Sequence, residues 1–498
     1  MSAYNGAVAG WKNAGPIPLE IETLQSRYLE SWRLYSGELF ESALTTNPYR
    51  DDPTIYTSTK LLWKHAEAIV DFYAGVVYQG ALPTTGAATP DDGPSAIPIQ
   101  SELDSTEKTD QLTAAIRELF AAWNWQQQMS LRPMYGAALG DCLTELVDDL
   151  ERRFVYPQTV WPGYVTEIEL DYVGNVRAYQ IDYSVTEKQS NGIAETYRFR
   201  KQVDREAFRY FKNDRPFDFG SGAVVENPYG FVPAVWDRHR LGAPGEVRGR
   251  SALHGTRQAL LQLNSIFSHA FDFQRKAFFA PIMVTGKGAS RSSDRTHDVT
   301  SAPDTFDVVG VPDGASLLQP QFDIGKTREM LDMLRQGIVD ENPEARFYPE
   351  LRGMQQVSAP GVERAMGDVK NRVDLARAGY DPQTVKLFQM AISMCGFRAH
   401  GPEWRTGSDG QRVPLDRRRH VFMPFDLTSY EKGDLAFSVE PRPIVYPTEQ
   451  ERLDLILQKE GLSTSWGMQA AGIDESEADA MLAERRDRFA VGMAAGSF

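Results

Sequence analysis

The sequence predicts an α+β chain. Apolar residues recur at three- and four-residue steps through the first 130 positions, alternate with polar ones between about 140 and 240, and return to helical spacing for most of the remainder. Helices flank the strands rather than interleave with them, so the strands are expected to form a mostly antiparallel sheet and not a doubly wound parallel one.

The first helix follows from Ile21, Leu24, Tyr28, Trp32 and Tyr35, with Gly37 near its end. A second apolar helix is expected over about Thr57 to Tyr78, with Leu61, Leu62, His65, Ile69, Phe72 and Val76 on one face, and a third over about Glu107 to Gln127. A Gly/Pro-rich loop from about Gly80 to Pro98 separates them. Ile168, Leu170 and Tyr172 then alternate with Glu167, Glu169 and Asp171. Gly174-Asn175 makes a turn, Val176 to Tyr183 leaves it, and Thr196 to Arg200 adds a further strand.

Helix resumes over about Thr256–Phe279, with Leu260, Leu263, Phe267, Ala270 and Phe271 on one side, until Pro281. Short apolar runs, Ile282-Met283-Val284 and Phe306 to Val309, surround a polar loop. Another helix follows Asp323, an N-cap candidate, and runs to about Glu341 with Ile324, Met330, Leu331, Leu334 and Ile338 as its apolar positions; Asn342-Pro343 stops it. A long helical stretch from Pro360 to Met394 is expected to kink or restart at Pro382. The capping-box pattern Thr448-Glu449-Gln450-Glu451 opens a tail of three helices.

Composition narrows function. The 498 residues are 42% hydrophobic and 24% charged, ordinary globular values that fit neither a disordered nor a membrane protein. Against 53 Lys and Arg stand 68 Asp and Glu, a net charge of −15, which excludes a protein that coats nucleic acid through a basic face. Cys142 and Cys395 cannot supply a disulfide framework and are expected as small buried hydrophobes in a reducing compartment. The first residues lack a signal-peptide pattern, and Phe72 to Pro90 carries three glycines and two prolines, so a soluble product without a membrane partner is expected.

No catalytic or metal-binding residue is nominated, and no cofactor is expected. Asp323-Ile324-Gly325-Lys326-Thr327 looks like the end of a phosphate-binding loop, but Pro320 stands where its first glycine belongs, leaving a helix start as the better reading. The seven histidines show no metal-ligand spacing, and His65 on an apolar face reads as a satisfied core or interface residue. No Gly-x-Ser-x-Gly elbow is present. From Glu344 to Arg377 six basic residues face five acidic ones, a pattern that reads as a solvated helix face with i,i+4 pairs or as a lining that touches phosphate lightly.

The order of these parts resembles the portal (head–tail connector) proteins of tailed bacteriophages. The likeness runs through Arg27 to Gly37 (Arg-Tyr-Leu-Glu-Ser-Trp-Arg-Leu-Tyr-Ser-Gly), Leu260 to Ser268, Phe279-Ala280-Pro281-Ile282-Met283-Val284-Thr285-Gly286, Val357 to Ala365, and an acidic helical tail with Gly461-Leu462-Ser463. Each motif is weak alone, but together they cover nearly the whole chain in order. Ala359-Pro360 is inserted after Ser358 relative to the family's Ser-Gly pattern, so no role is carried onto Ser358.

The resemblance implies a ring subunit, usually one of twelve, with a helical stem, a long kinked helix, an antiparallel β-containing wing, a small α/β clip and a helical crown. On that scheme the wing is 1–255 with a return at 396–446, the stem helices 256–281 and 323–342, and the clip 282–322. The tunnel loop is 343–358, the long helix 359–395 and the crown 447–498. It implies a virion protein at a capsid vertex that is not an enzyme. Its partners would be further copies of itself, double-stranded DNA passing through, the terminase large subunit that drives packaging, the major capsid protein with or without scaffold, and a head–tail adaptor. Arg346, Arg352, Gln355, Gln356 and Arg364 are the positions expected to approach DNA; Arg291, Ser292, Asp294, Arg295 and Asp304 are expected to meet the motor or adaptor. A net charge that repels DNA suits a conduit, since tight binding would stall passage. The alternatives are a virion assembly or minor head protein without a channel, or a soluble nucleotide-driven enzyme.

Overall fold

The computed structural model describes residues 21–38, 62–78, 99–100, 103, 105–123, 125, 129–149, 154–188, 194–220, 222–242, 245–278, 282–285, 308–311, 314–317, 324–347, 359–400, 404–406, 412–414, 425, 427–439, 442 and 444. It is an α+β chain whose larger sheets are antiparallel. The chain divides into two compact units, one of residues 1–25, 72–251 and 347–498 and the other of residues 26–71 and 252–346.

In chain order the first elements are α1 (Ile21–Ser36), α2 (His65–Val76), β1 (Ile99–Gln100), α3 (Thr106–Ala122) and α4 (Leu131–Leu139). Gly37 adopts φ 85°, the left-handed conformation that ends α1. Residues 62–64 are not helical, so α2 begins later than its apolar pattern suggests. Ser105 caps α3, its hydroxyl accepting from the Lys108 N–H at 3.2 Å. This helix stops at Ala122 rather than near Gln127 because Trp123 and Trp125 turn into an aromatic cluster instead of continuing the spiral. Helix α4 was not visible as a separate element in the apolar pattern.

The larger unit is built on two sheets. One has the order β10-β2-β3, from Ala234–Arg238, Asp141–Asp149 and Phe154–Val160. The other runs β4-β5-β6-β7-β8, from Val165–Leu170, Val176–Lys188, Ala194–Val203, Ala207–Lys212 and Arg215–Pro216, with β9 (Val224–Glu226) also pairing β7. Alternation dictates the faces. Tyr179, Ile181 and Val203 turn inward to a core shared with Leu143, Val160, Val165, Ile168 and Trp236. The predicted hairpin forms at Gly174-Asn175, but Tyr172 belongs to its turn, fully exposed, where Asp171 accepts from the backbone N–H groups of Val173 and Asn175.

Two helices complete this unit's frame, α7 (Ala359–Ala365) and α8 (Gly367–His400), the latter 34 residues and about 50 Å long. The expected interruption at Pro382 does not occur; the break falls at Met366, and α8 continues through the proline to His400. Small strands β14 (Trp404–Thr406) and β15 (Arg412–Pro414), the short helix α9 (Thr428–Lys432) and strand β16 (Ser438–Val439), which pairs with β1, lie beyond it.

The smaller unit contains most of α1, α5 (Arg257–Phe278), α6 (Ile324–Glu341) and, between α5 and α6, three strands: β11 (Ile282–Thr285), β12 (Val308–Val311) and β13 (Gly314–Leu317). Strand β11 is central, parallel to β12 and antiparallel to β13. Helices α5 and α6 pack together, and Asn342 ties the end of α6 to the start of α5 by donating to Thr256 Oγ1 at 3.1 Å. Trp63 stacks on Phe267 at 5.0 Å, and its backbone N–H donates to Asn264 Oδ1 at 2.8 Å. His65 lies half-buried beside Trp63, and among the described residues no group hydrogen-bonds its Nε2. Burial and the nearby Arg335 lower its pKa.

Candidate functional site

Of the residues expected to approach DNA, two are described. Arg346 ends a short 3-10 turn (Pro343–Arg346) in the smaller unit and is half-buried; Arg364 is exposed in the last turn of α7 in the larger one. Arg352, Gln355 and Gln356 lie outside the described residues. So do Arg291, Ser292, Asp294, Arg295 and Asp304, the Asp323 cap and the 447–498 tail.

The balanced charges of 344–377 are not all on a solvated face. Lys370 and Asp374 do form an i,i+4 pair at 2.7 Å, but Glu344 and Arg377 are buried. Arg377 donates to the carbonyls of Val76, at 2.8 Å, and Arg442. Arg442 in turn donates to the Val77 carbonyl at 2.7 Å and clasps Asp381 through two bonds of 2.9 Å. Two guanidinium groups thus meet carbonyls at the C-terminal end of α2, where the helix leaves acceptors and partial negative charge.

The most concentrated chemistry in the described residues lies one turn further along α8. Arg132 of α4 and Asp237 of β10 are both completely buried. The guanidinium grips the carboxylate bidentately, Nε to Oδ2 at 2.8 Å and Nη2 to Oδ1 at 2.7 Å, while Nη1 donates to Thr384 Oγ1 at 3.0 Å. The Thr384 hydroxyl donates to the Tyr380 carbonyl at 2.9 Å and therefore accepts from Tyr78 Oη, also at 2.9 Å. Tyr380 Oη pairs with His239 Nδ1 at 3.2 Å. Gly136 is required beside it, since a Cβ there would sit 1.9 Å from the Tyr380 oxygen.

Burial raises the Asp237 carboxyl against the pull of Arg132, drives the Cys142 thiol and Tyr380 phenol well up, and lowers His239 to about 3. Arg132 is held protonated by Asp237 despite the cost of burial. None of these groups is exposed to a substrate, and the cluster works as a joint fastening α8 to β10 and α4. It does not have the form of an acid–base site, which needs a group titrating near neutrality within reach of a reactant. Among the described residues no group of three His, Cys, Asp or Glu side chains is placed to hold a metal ion.

Further fastenings occur along α8. Phe388 stacks between Phe120, Trp123 and Trp125 at 5.0–5.2 Å, and Gln389 donates to the Leu435 carbonyl at 2.8 Å. Near its end Arg398 pairs with Asp148 and donates to Tyr229 Oη at 3.0 Å. These attachments explain the uninterrupted helix. Asp381 and Thr384 flank Pro382 and are each held by a buried partner, so tertiary bonds offset the backbone hydrogen bond that proline removes. Sequence reading missed the whole set. Its one local trace is Asp237 inside the apolar strand Ala234-Val235-Trp236.

Both cysteines are buried free thiols, and among the described residues no helix is long and apolar enough to cross a membrane. No protein-family model matches the chain, and no curated protein matches it.

Proposed function

We propose that the chain is the repeating subunit of a ring at one capsid vertex of a tailed bacteriophage, a portal through which the genome is packaged and ejected. The observation that carries the reading is the insertion of a small sheet between two packed helices. Helices α5 and α6 bracket β11, β12 and β13 as a stem brackets a clip, and the chain proceeds through a short turn toward a long helix anchored from Arg377 to Arg398. Rings of identical subunits convert each exposed residue into a closed band, so function requires positioning rather than a catalytic group.

On this reading α8 is a girder that resists the load of passing DNA. Arg346, Arg352, Gln355, Gln356 and Arg364 are the positions that would approach the duplex, and Arg291, Ser292, Asp294, Arg295 and Asp304 those that would meet the terminase large subunit during packaging and a head–tail adaptor afterwards. The major capsid protein and scaffold surround the ring. The acidic chain then repels DNA overall, which favours transit over retention.

Size and shape test the proposal. Twelve chains of 55.8 kDa would sediment at about 670 kDa and show a central hole by negative-stain microscopy. A monomer at every concentration, or ATP turnover by the chain alone, overturns it. Deleting residues 347–356 is expected to lower the amount of packaged DNA without preventing ring assembly; unchanged packaging removes this segment from the mechanism.

A further inference from the structure

We infer that an arginine face at the end of β10 is a docking site for an acidic peptide, and that its occupant is the chain's own run Asp474-Glu475-Ser476-Glu477-Ala478-Asp479. The inference stands apart from the ring reading above. Trp236, Arg238 and Arg240 alternate with Asp237 and His239, so the strand turns Asp237 to Arg132 and His239 to Tyr380 and aims its arginines the other way. Beyond β10 the chain doubles back. Arg250 donates its backbone N–H to the Arg240 carbonyl at 2.9 Å in an isolated antiparallel bridge, and the Arg248 guanidinium lies 5.0 Å over the Trp236 ring. Four half-buried arginines thus share one face, about 5 Å apart across the pair and about 7 Å apart along it.

Charge on this face is locally in excess. Residues 238–250 hold four arginines and one acidic residue, Glu246, net +3 in a chain of net −15. Glu246 lies 3.7 Å from Arg250, and its backbone carbonyl accepts from Arg238 at 3.5 Å. Of the carboxylates nearby, Asp237 is engaged by Arg132, and Asp141 accepts from the Gly249 N–H at 3.0 Å. On β6 and β7, by contrast, Arg198, Arg200, Lys201, Arg209 and Lys212 each have a carboxylate within 3.2 Å. The excess is felt in the interior: after burial, the charges of Arg240 and Arg372 are what lower the pKa of His239.

Guanidinium forks hold carboxylates bidentately. A rigid polyanion such as duplex nucleic acid extends beyond this patch and meets the acidic remainder of the chain. A short acidic segment answers only the charges within a Debye length of about 8–10 Å. The chain carries such a segment. Residues 474–479, which lie outside the described ones, hold four carboxylates in six positions and no basic residue; Arg485, Arg486 and Arg488 come only after Glu484. The last described residue, Ile444, follows Arg442, which clasps Asp381 of α8 one position beyond the Tyr380 that holds His239. Asp474 comes 30 residues later, up to about 100 Å of chain, so reach does not limit the contact.

Two measurements on the full-length chain test this. Arg250→Cys combined with Glu477→Cys, oxidised at low salt, should form an intrachain disulfide, read as loss of both added thiols in a band that keeps the mass of one chain. High salt should slow this trapping at least tenfold, and neither single variant should lose its thiol; Cys142 and Cys395 are buried. The second measurement needs no cysteine. A fluorescent peptide of residues 473–484 should bind the chain carrying Asp474→Asn, Glu475→Gln, Glu477→Gln and Asp479→Asn at least tenfold more tightly than the wild type, whose own segment competes. Adding Arg238→Gln with Arg240→Gln, or Arg248→Gln with Arg250→Gln, should abolish that binding. Absence of the intrachain disulfide, trapping that salt does not slow, or a peptide that binds wild type and variant alike overturns the contact. Linkage between chains overturns the assignment to the chain's own segment. A short DNA duplex that binds through the same arginines more tightly than the peptide overturns the peptide as occupant.

Discussion

Replacing Asp237 by Asn tests whether the buried ion pair joins α8 to the sheet. The substitution keeps the shape but removes the charge that Arg132 needs, leaving a guanidinium with no exposure that faces Thr384, the Met129 sulfur and a neutral amide, and no carboxylate. Removing one partner of such a pair costs about 3–5 kcal/mol, because the remaining charge is uncompensated in a low-dielectric interior. A domain's whole stability is about 5–15 kcal/mol, so Asp237→Asn should unfold the larger unit at a urea concentration lower by about 1 M or more. Tryptophan fluorescence reports the transition, since Trp123, Trp125 and Trp236 are all buried in that unit. The double variant Arg132→Met with Asp237→Leu removes both charges and fills the space with apolar atoms. It should recover most of the loss and equal or exceed the wild type. The reasoning fails if Asp237→Asn costs less than about 1 kcal/mol, or if the double variant is as unstable as the single one.

Other outcomes follow from the same geometry. His239 is buried and its pKa lowered to about 3, so below pH 6.5 the unfolded chain binds a proton that the folded one refuses. Its contribution is complete above pH 6.5 and is lost as pH falls, by about 1.4 kcal/mol per unit, so urea midpoints between pH 6.5 and 5 should fall more steeply for the wild type than for His239→Gln. Gly136→Ala forces a methyl against the Tyr380 oxygen and should destabilise by about 1–3 kcal/mol; adding Tyr380→Phe should recover part of it in the same assay. Phe388→Ala empties the site between Phe120, Trp123 and Trp125 and should cost about 3–5 kcal/mol by urea denaturation. Arg364 is exposed, so Arg364→Glu should change stability by no more than about 0.5 kcal/mol. On the portal reading it should also lower packaged DNA per particle.

Sequence by itself determined the elements whose cause is local. A three- to four-residue apolar repeat identified α1, α5 and α6, and a repeat of two identified β4, β5 and β6, because each face buries only if the backbone adopts that period. Gly37 and Asn342-Pro343 marked helix ends by their own backbone preferences. Of the candidate site, Arg364 is exposed, whereas Glu344 and Arg377, which spacing alone assigned to a solvated face or a lining that touches phosphate lightly, are buried.

Tertiary structure decided what depends on distant partners. Arg132 lies 105 residues from Asp237 and 252 from Thr384, separations at which no spacing rule carries information. The same bonds keep α8 continuous across Pro382, where the local propensity of proline says stop. Aromatic stacking around Phe388 draws Trp123 and Trp125 inward, and α3 ends there rather than several residues later. In each case a buried contact between remote residues outweighs a local preference of about 1–3 kcal/mol, because the interior leaves a charge or a ring no equally good alternative in water.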